Sequence, residues 1–475
     1  MSLACLPTAA AVALLIVLPC LGGQLTIDPA APFHPMLEGR PQLLLGCSDR
    51  STFFIWENDK GFHWRRYLET LHDAGFSYVR HDVCAWHGIA AASGWPAQFT
   101  NPMWPFGRVI GDDDWRFDLR RYNDEYFEER LRTFLGEAER LGVVCELTLF
   151  DAARGRRGFD ESLYAPEHNA NSLELSSAPE PHSDAALENE ELLAIQEAYV
   201  SRVLDATADL GNVIYEIANE TGGALWVEHF VDYIHDRLPG ALVSAGEQTS
   251  SYDPVGGRCD IVAKHRGTGG LYADHEDLAR HRRSLIAFRE GGKPVLHNEF
   301  FLFANRSTDD PGFVRKTLWA DFTGGGHANF FDFTWWRGRG RTMADGPASQ
   351  PPPDEVLDAA RSLRRFIDDT SFPFWRMAPA DACAEPMSGH AFAYGEPSVY
   401  AIYILPGADP RVRLMLPEGS YEVRWYDPVA IAWHEGRSQA QAEAVITVPE
   451  GMEEAAVYLR KLVNDSPGLP AEGTD

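Results

Sequence analysis

The sequence predicts an α/β fold, a (β/α)8 TIM barrel followed by a small antiparallel β-sandwich domain. Eight short apolar runs rich in Val, Ile, Phe and Tyr alternate with longer amphipathic segments between residues 38 and 370. After residue 370 the runs become short and alternate between apolar and polar residues, with turn sequences between them. The first pattern is typical of parallel strands covered by helices, and the second is typical of an antiparallel sandwich.

The predicted barrel strands are nearly continuous apolar runs, which indicates that both faces of the sheet are buried. The segments between them have helical patterns, such as 63–75 and 126–142, and several end at Gly, a common helix C-cap. A doubly wound open sheet is the alternative, but no GxGxxG or GxxxxGK(S/T) turn follows the first strand. The predicted strands are 41–47, 76–83, 143–150, 212–219, 241–246, 260–265, 294–300 and 328–336.

The change of pattern near residue 370 divides the predicted chain into parts. Residues 24–370 are predicted to form the barrel. Residues 371–463, with alternating runs such as SVYAIYIL and SYEVRWYD, are predicted to form the β-sandwich domain. Residues 464–475 are rich in Pro, Gly and acidic residues and are predicted to be a disordered tail.

The N-terminal segment 1–23 is predicted to be a signal peptide. Its apolar run, PTAAAVALLIVLPCLGG, is too short to span a membrane comfortably, and polar, Pro-rich sequence follows it. Because no Lys or Arg precedes the run, an unremoved N-terminal anchor and a misassigned start are the alternatives. We expect a secreted or periplasmic protein that is not stably inserted in a membrane after removal of the signal.

The acidic composition limits the partners of the protein. The 475 residues include 70 Asp and Glu against 42 Lys and Arg, which gives a formal net charge of -28. Such a charge repels nucleic acid and anionic membrane surfaces. The acidic residues are spread along the chain, as on a solvated surface, and we expect a monomer without a nucleic-acid partner.

The cysteines indicate neither a disulfide framework nor a metal site. Seven are present, and the five that follow the predicted signal peptide are an odd number without close pairs. Four of these fall in predicted strands or at their ends, so we expect buried side chains that act as small hydrophobic residues. Because the sequence contains no CxxC and no HExxH, we expect no metal and no other cofactor.

Two glutamates end predicted strands of the barrel. The fourth strand ends in Asn219 and Glu220, and the seventh ends in Glu299. The carboxyl ends of TIM-barrel strands face the active site, and these two strands lie on roughly opposite sides of it. Two carboxyl groups placed in this way can flank one glycosidic bond, where one protonates the leaving oxygen and the other attacks or activates water. The pair therefore predicts a glycoside hydrolase.

The segments around these glutamates resemble those of known enzymes. YEIANE (215–220) and PVLHNEF (294–300) are similar to the acid/base and nucleophile motifs of clan A glycoside hydrolases, the cellulase-like, mannanase-like and apiosidase-like retaining enzymes. FDLRRYNDEYFEERL (117–131) resembles a stretch of cellulase-like proteins of this clan. The resemblance covers the barrel and implies a retaining double displacement, with Glu220 as acid/base and Glu299 as nucleophile about 5 Å apart.

The resemblance also implies roles for residues around the two glutamates. Asn219 would hydrogen-bond the sugar 2-hydroxyl, and Arg80 would hold the nucleophile ionised. His265 matches a histidine that lines the cleft, and Trp335 matches the aromatic platform under the sugar. Many relatives have a Tyr two residues after that histidine, where this chain has Gly267.

Further residues have two interpretations each. Asn169 and Asn171 resemble an Asn-rich substrate loop, and simple turn formation is the alternative. Trp86 belongs to a Trp-rich segment after the second strand, where both sugar stacking and core packing are expected of Trp. Glu216, in the middle of the fourth strand, is predicted to form a buried salt bridge with Arg80 rather than to act as a third catalytic acid.

Arginines follow the third and eighth predicted strands, where both loops are expected at the mouth of the cleft. Their side chains suit recognition of a carboxylate or sulfate on an acidic sugar, but salt bridges within the loops are the favoured interpretation. They are Arg154, Arg156, Arg157, Arg337, Arg339 and Arg341.

The predicted function is hydrolysis of O-glycosidic bonds in a carbohydrate substrate, a polysaccharide or oligosaccharide. A non-catalytic carbohydrate- or matrix-binding protein on a degenerate barrel is the alternative, and the presence of both glutamates argues against it. A lyase or transglycosylase could use the same pair. The β-sandwich domain, with YEVRWYDPVAIAWHEG (421–436), resembles a small domain labelled collagen-binding that follows such barrels, and a structural cap is the alternative.

Overall fold

The computed structural model describes the strands of the barrel, helices between them and the C-terminal β-domain. The predicted signal peptide and the predicted tail lie outside the described residues. The described residues are 24–48, 63–84, 104–110, 115–151, 163–166, 168–171, 180–246, 252–264, 274–300, 312–331, 352 and 354–462.

A small antiparallel sheet precedes the barrel. Its strands are β1 (Thr26–Ile27), β2 (Pro35–Leu37) and β3 (Arg40–Pro41). Leu25, beside β1, is 2% exposed and packs with apolar residues at the N-terminal ends of the barrel strands, so this sheet covers that end of the barrel. The sequence patterns do not predict the sheet, because strands of two or three residues are too short to show a periodicity.

Eight parallel strands form a closed barrel, which confirms the predicted fold class. Each predicted run overlaps one strand of the barrel, and neighbouring barrel strands pair in parallel around the whole circle. Two further strands, β6 and β7, follow the second barrel strand and form a separate antiparallel hairpin that is not among the predicted strands. The strands are β4 (Leu45–Ser48), β5 (Tyr78–Asp82), β6 (Phe106–Ile110), β7 (Trp115–Tyr122), β8 (Val144–Asp151), β9 (Val213–Asn219), β10 (Leu242–Gly246), β11 (Ile261–Ala263), β12 (Val295–Phe300) and β13 (His327–Phe331).

Helices follow the barrel strands, except that the described residues between β10 and β11 include no helix. Gly75 and Gly142 follow the first two helices with φ of +91° and +70°, a left-handed conformation that favours Gly and that agrees with the predicted C-caps. Among the helices that the structure describes, none has the length and apolar character needed to cross a membrane. The helices are α1 (Trp64–Asp73), α2 (Arg132–Arg140, after a π-helical segment Glu125–Leu131), α3 (Glu190–Thr207), α4 (Ala224–Arg237), α5 (His275–Arg289), α6 (Gly312–Thr323) and α7 (Asp354–Thr370).

The interior of the barrel changes from apolar to polar along the strands. Near the N-terminal ends, Tyr78, Val144 and Ile214 belong to one buried apolar cluster with Leu25. One level further along, the fully buried residues are charged or polar, whereas branched apolar residues usually fill the interior of a TIM barrel. This polar level consists of Arg80, Glu146, Glu216, Ser244, Asn298 and Asn329.

The C-terminal part is an antiparallel β-domain, as predicted, and its strands belong to one hydrogen-bonded sheet. Its longest strand has 17 residues, and a register shift between Met415 and Ser420 lets this strand pair with several others. The strands are β14 (Ala378–Pro379), β15 (Ala384–Pro386), β16 (Gly389–Glu396), β17 (Val399–Pro406), β18 (Arg411–Asp427), β19 (Ala432–Trp433), β20 (Ser438–Thr447) and β21 (Ala455–Lys461).

The central strand β17 is buried on both faces and joins the β-domain to the barrel. Tyr400 and Ile402 point into the core of the β-domain, whereas Ala401 and Tyr403 belong to the large core of the barrel. This alternation follows from the period of two in a strand. Tyr403 stacks on Trp319 of α6, with ring centroids 5.2 Å apart. The two parts therefore share one continuous core.

The cysteines agree with the expectation from the sequence. The side chains of five cysteines are buried: Cys47, Cys84, Cys145, Cys259 and Cys383. They pack as small hydrophobic residues in the barrel and the β-domain.

Candidate active site

A fully buried arginine lies at the centre of the polar level of the barrel. Arg80, on β5, donates from Nε and Nη2 to the two carboxylate oxygens of Glu216 at 2.7 and 2.8 Å. Its Nη1 donates to Glu299 Oε2 at 2.8 Å, and Nη2 also donates to Asn219 Oδ1 at 2.9 Å. Burial alone would lower the pKa of Arg80, but the charges of Glu216 and Glu299 raise it well above its ordinary value. Arg80 therefore stays charged, and the predicted salt bridge with Glu216 is present.

Polar side chains on neighbouring strands hold this arrangement. Thr148 Oγ1 on β8 and Asn298 Nδ2 on β12 both donate to the carboxylate of Glu216, the latter at 2.8 Å. Ser48 Oγ on β4 accepts a hydrogen bond from the backbone N–H of Arg80 at 2.7 Å. The bidentate salt bridge is therefore fixed from three sides, which is how a buried ion pair offsets its desolvation cost.

A β-bulge in β12 turns two successive side chains toward Arg80. The register between β12 and β13 shifts within residues 297–300, so that β12 has one extra residue. In a regular strand Asn298 and Glu299 would point to opposite faces of the sheet. Here Asn298 donates to Glu216, and Glu299 accepts from Arg80. The bulge thus brings both side chains to one cluster, as bulges near functional sites often do.

Glu220 follows β9 in a strained backbone conformation. Its φ is +54°, in the left-handed region of the backbone that residues other than Gly rarely adopt. Glu220 is partly exposed at the end of the strand, whereas Glu299 is only 8% exposed. Strain of this kind persists where the surrounding structure imposes it, and it is concentrated at functional sites.

The amide of Asn219 is held at both ends. Its Oδ1 accepts from Arg80, and its Nδ2 donates to Asp151 Oδ1 at 2.8 Å. These contacts fix which amide atom faces the arginine. They use one of the two Nδ2 hydrogens.

Asn169 and Asn171 connect the segment after β8 to the hairpin of β6 and β7. Asn169 is 1% exposed, and its Nδ2 donates to the carbonyls of Tyr164 and Ala165 at 2.6 and 2.8 Å. Asn171 accepts from the backbone N–H of Leu119 at 2.8 Å and also bonds within the loop. Both side chains support the loop, and a contact with sugar stays a prediction.

Several predicted residues lie outside the described part of the chain. They are Trp86, His265, Gly267, Trp335 and the six arginines after the third and eighth barrel strands. Their roles stay predictions.

Two histidines and an aspartate form a buried cluster on the outer side of β12. Asp321 of α6 accepts from His281 Nε2 at 2.6 Å and from His297 Nδ1 at 2.9 Å. Burial would raise the pKa of Asp321, but the two histidines lower it to about 2. The residue types suit zinc, yet the separations are those of hydrogen bonds. No local sequence pattern indicates this cluster, because its members come from three separate elements.

Much of the shell around Arg80 is likewise absent from the residues predicted from the sequence. Two side chains of this shell, Thr148 and Asn298, donate to Glu216, and Ser244 donates to Glu146. All of these residues are buried. A signal was present for Glu146, because it is the one charged residue in the apolar run VVCELTLF. An isolated charge in a strand predicted to be buried needs a partner inside the barrel.

The fold is shared with solved structures of glycoside hydrolases. A glycoside hydrolase family 5 protein from Bacteroides vulgatus has a TM-score of 0.62 and 13% sequence identity, with 94% of each chain covered. A second structure, described only as a glycoside hydrolase, has a TM-score of 0.61 and 12% identity, and the match covers 93% of this chain and 97% of the other.

A family 5 mannosidase from Rhizomucor miehei has a TM-score of 0.51 and 14% identity, with 74% of this chain and all of the mannosidase covered. No protein-family model matches the chain, and no curated protein matches it in sequence. The first two matches include both the barrel and the β-domain, so the whole architecture is that of these glycoside hydrolases.

Proposed function

We propose that the protein is a retaining glycoside hydrolase that cleaves O-glycosidic bonds in a polysaccharide or oligosaccharide. The observation that carries the proposal is the contact of Arg80 with Glu299 at 2.8 Å, inside a barrel whose fold is shared with glycoside hydrolases. Glu220 directly follows β9, on the same rim of the barrel and three strands away from β12. The rim at the carboxyl ends of the strands is where TIM-barrel active sites lie.

In the first step, Glu299 attacks the anomeric carbon while Glu220 donates a proton to the leaving oxygen, which produces a covalent glycosyl-enzyme. Attack requires an ionised carboxylate, and the positive charge of Arg80 favours that form. The burial of Glu299 and its bond to Arg80 also restrict its orientation. The partly exposed Glu220 is accessible to a leaving group and, later, to water.

In the second step, Glu220 takes a proton from water, which attacks the anomeric carbon and releases Glu299 with overall retention of configuration. Asn219 is proposed to hydrogen-bond the sugar 2-hydroxyl through its remaining Nδ2 hydrogen, since Asp151 uses the other. Hydrogen bonds to the 2-hydroxyl that strengthen in the transition state contribute several kcal/mol in such enzymes.

The structural neighbours indicate which sugars to try first. One of them is described as a mannosidase, so mannosides precede other glycosides in a screen. Aryl β-mannosides, β-glucosides and β-galactosides, together with the corresponding polysaccharides, cover the first choices. A protein that binds these glycans but cleaves none would contradict the proposal and favour the non-catalytic alternative.

Substitution of the two glutamates tests their roles. Glu220→Ala should reduce turnover by about 10²–10⁴-fold, because it removes the acid/base. Azide should restore turnover of an activated aryl glycoside in this variant and yield a glycosyl azide of retained configuration. Glu299→Ala should lose turnover without such a product, because no glycosyl-enzyme forms. Glu385→Ala, an exposed glutamate of the β-domain, is the matched control and should behave as wild type. The reverse rescue pattern would mean that the roles are exchanged.

For the β-domain we propose a structural role as a cap on the barrel. Its central strand β17 contributes Tyr403 and Ala401 to the barrel core, and Tyr403 stacks on Trp319. A chain that ends near residue 371 would expose this apolar surface to water. Such a truncated protein should therefore unfold at a lower temperature or aggregate. An equally stable truncated barrel with a loss of carbohydrate or collagen binding would instead support a binding domain.

A further inference from the structure

Three buried carboxyl groups, those of Glu146, Glu216 and Glu299, surround the guanidinium of Arg80 in the barrel. The described hydrogen bonds of the Arg80 guanidinium go to Glu216, Glu299 and Asn219. Glu146 Oε2 lies 3.5 Å from Arg80 Nε, longer than a normal N–H···O bond, and Nε already donates to Glu216. Glu146 is thus close enough to interact with the charge of Arg80 but is not its hydrogen-bond partner.

The hydrogen-bond partners of Glu146 are neutral. Tyr78 of β5 donates to Oε2, and Ser244 of β10 donates to Oε1 at 2.6 Å. Asn298 Nδ2 of β12 lies 3.5 Å from Oε2. Among the described residues, these partners, together with Arg80 on β5 and Glu216 on β9, are the polar and charged groups that face Glu146.

The surroundings of Glu146 favour its protonated form. Burial, followed by the negative charge of Glu216, raises the pKa of Glu146 to about 7. Tyr78 does not supply a competing charge, because burial raises its pKa well above the ordinary value. When two carboxylates share one site, the proton stays on the one with weaker compensation. Glu216 has the bidentate contact with Arg80, so the proton belongs on Glu146.

We propose that Glu146 is a positioning residue of the site, uncharged while the enzyme works, whose ionisation draws Arg80 away from Glu299 and ends turnover on the alkaline side. This inference rests on the proposed role of Glu299 as nucleophile. With a neutral Glu146, one cation faces two anions. With an ionised Glu146, a third anion 3.5 Å from Nε competes for the same cation, and Glu299 loses part of the contact that orients it.

The pH dependence of unfolding tests the protonation independently of activity. A folded-state pKa above the ordinary 4.5 means that the folded protein keeps a proton that the unfolded chain releases, so stability falls as pH rises from 4.5 to 7. Glu146→Gln imitates the protonated form and removes this dependence. The unfolding equilibrium constant of wild type, relative to the variant, should rise about tenfold per pH unit between pH 5 and 7. A constant ratio would overturn the proposal.

The pH dependence of kcat/KM tests the effect on the site. Activated substrates, the 2,4-dinitrophenyl β-mannoside, β-glucoside and β-galactoside, have a leaving group that needs no proton from Glu220. An alkaline decline that persists with such a substrate therefore reports another group. In Glu146→Gln this decline should move by more than one pH unit to higher pH, while the acidic limb stays in place. A decline at the wild-type pH would overturn the proposal.

Two milder variants keep the proposal testable if Glu146→Gln fails to fold. The hydrogen bonds from Ser244 and Tyr78 lower the pKa of Glu146, so Ser244→Ala and Tyr78→Phe should each move the alkaline decline to higher pH. A merely structural role would reduce activity without moving it. If neither the three glycosides nor the corresponding polysaccharides are cleaved although the protein binds them, the proposed function fails, and the unfolding measurement still decides whether Glu146 holds the proton.

Discussion

Replacement of Arg80 should lower the free energy of unfolding and should move the acidic limb of the pH profile of kcat/KM. Arg80→Met keeps the approximate length of the side chain but removes four hydrogen bonds and the positive charge between Glu216 and Glu299. Breaking a buried ion pair by removal of one partner costs about 3–5 kcal/mol. Loss of a nearby cation also raises a carboxyl pKa by about one to three pH units, and each unit corresponds to about 1.4 kcal/mol.

The assay combines urea unfolding at pH 7 with a pH profile of kcat/KM on an activated aryl glycoside. The free energy of unfolding should fall by about 3–5 kcal/mol, and the acidic limb should move upward by about one to three pH units. The reason for the second effect is that Glu299 must be ionised to attack. Arg80→Lys keeps a charge and should give smaller changes in the same directions.

Arg282→Met is the matched control. Arg282 is 1% exposed and donates to the carbonyls of Thr323 and Ala393, at the junction of the barrel and the β-domain. Its loss should cost stability but leave the acidic limb in place. An unmoved acidic limb in a folded Arg80→Met protein would refute the idea that Arg80 holds Glu299 ionised.

Three further predictions concern the fold. Burial lowers the pKa of His182, His297 and His327 from 6.5 to about 4, so the unfolded chain binds protons below pH 6.5 that the folded protein does not. The free energy of unfolding should therefore fall by up to about 4 kcal/mol per pH unit between pH 6.5 and 4, and a flat profile by urea unfolding would contradict this assignment. Gly46→Ala should destabilise by about 1–3 kcal/mol, because a Cβ would overlap the side chains of Asn329 and Tyr78. Gly136→Ala, on α2 with no atom within 4 Å of the added Cβ, should instead be neutral or stabilising in thermal unfolding. Treatment with EDTA should leave the melting temperature unchanged, because both oxygens of Asp321 already accept bonds from His281 and His297; a stoichiometric metal and a lower melting temperature after its removal would contradict this.

The barrel could be predicted because its strands are apolar on both faces and its helices are amphipathic. The run VVCELTLF, for example, overlaps β8 almost completely. The sheet of β1 to β3 could not be predicted, because two- and three-residue strands show no periodicity. The hairpin of β6 and β7 had a signal in the sequence, because its longer strand, WRFDLRRY, alternates apolar and charged residues over its first six positions. This alternation differs from the continuous apolar runs that predict the barrel strands.

The site could be predicted in part. The positions of Glu220 and Glu299 at strand ends follow from the pattern of strands, and the salt bridge of Glu216 with Arg80 follows from the cost of an unpaired charge in a buried strand. The bulge that turns Asn298 and Glu299 toward one cluster depends on the register with β13, which no local pattern specifies. The positive φ of Glu220 is likewise imposed by its surroundings rather than by residue type.

The central claim is that Glu299 forms a covalent bond to the sugar during turnover. A 2-deoxy-2-fluoro glycoside of the cleaved sugar, with a 2,4-dinitrophenyl leaving group, should slow the second step and trap the intermediate. Digestion of the labelled protein and peptide mass spectrometry should then find one sugar on the peptide that contains Glu299, and no label in Glu299→Ala. A label on Glu220 or another carboxylate, or a first-formed product of inverted configuration by NMR, would contradict the account.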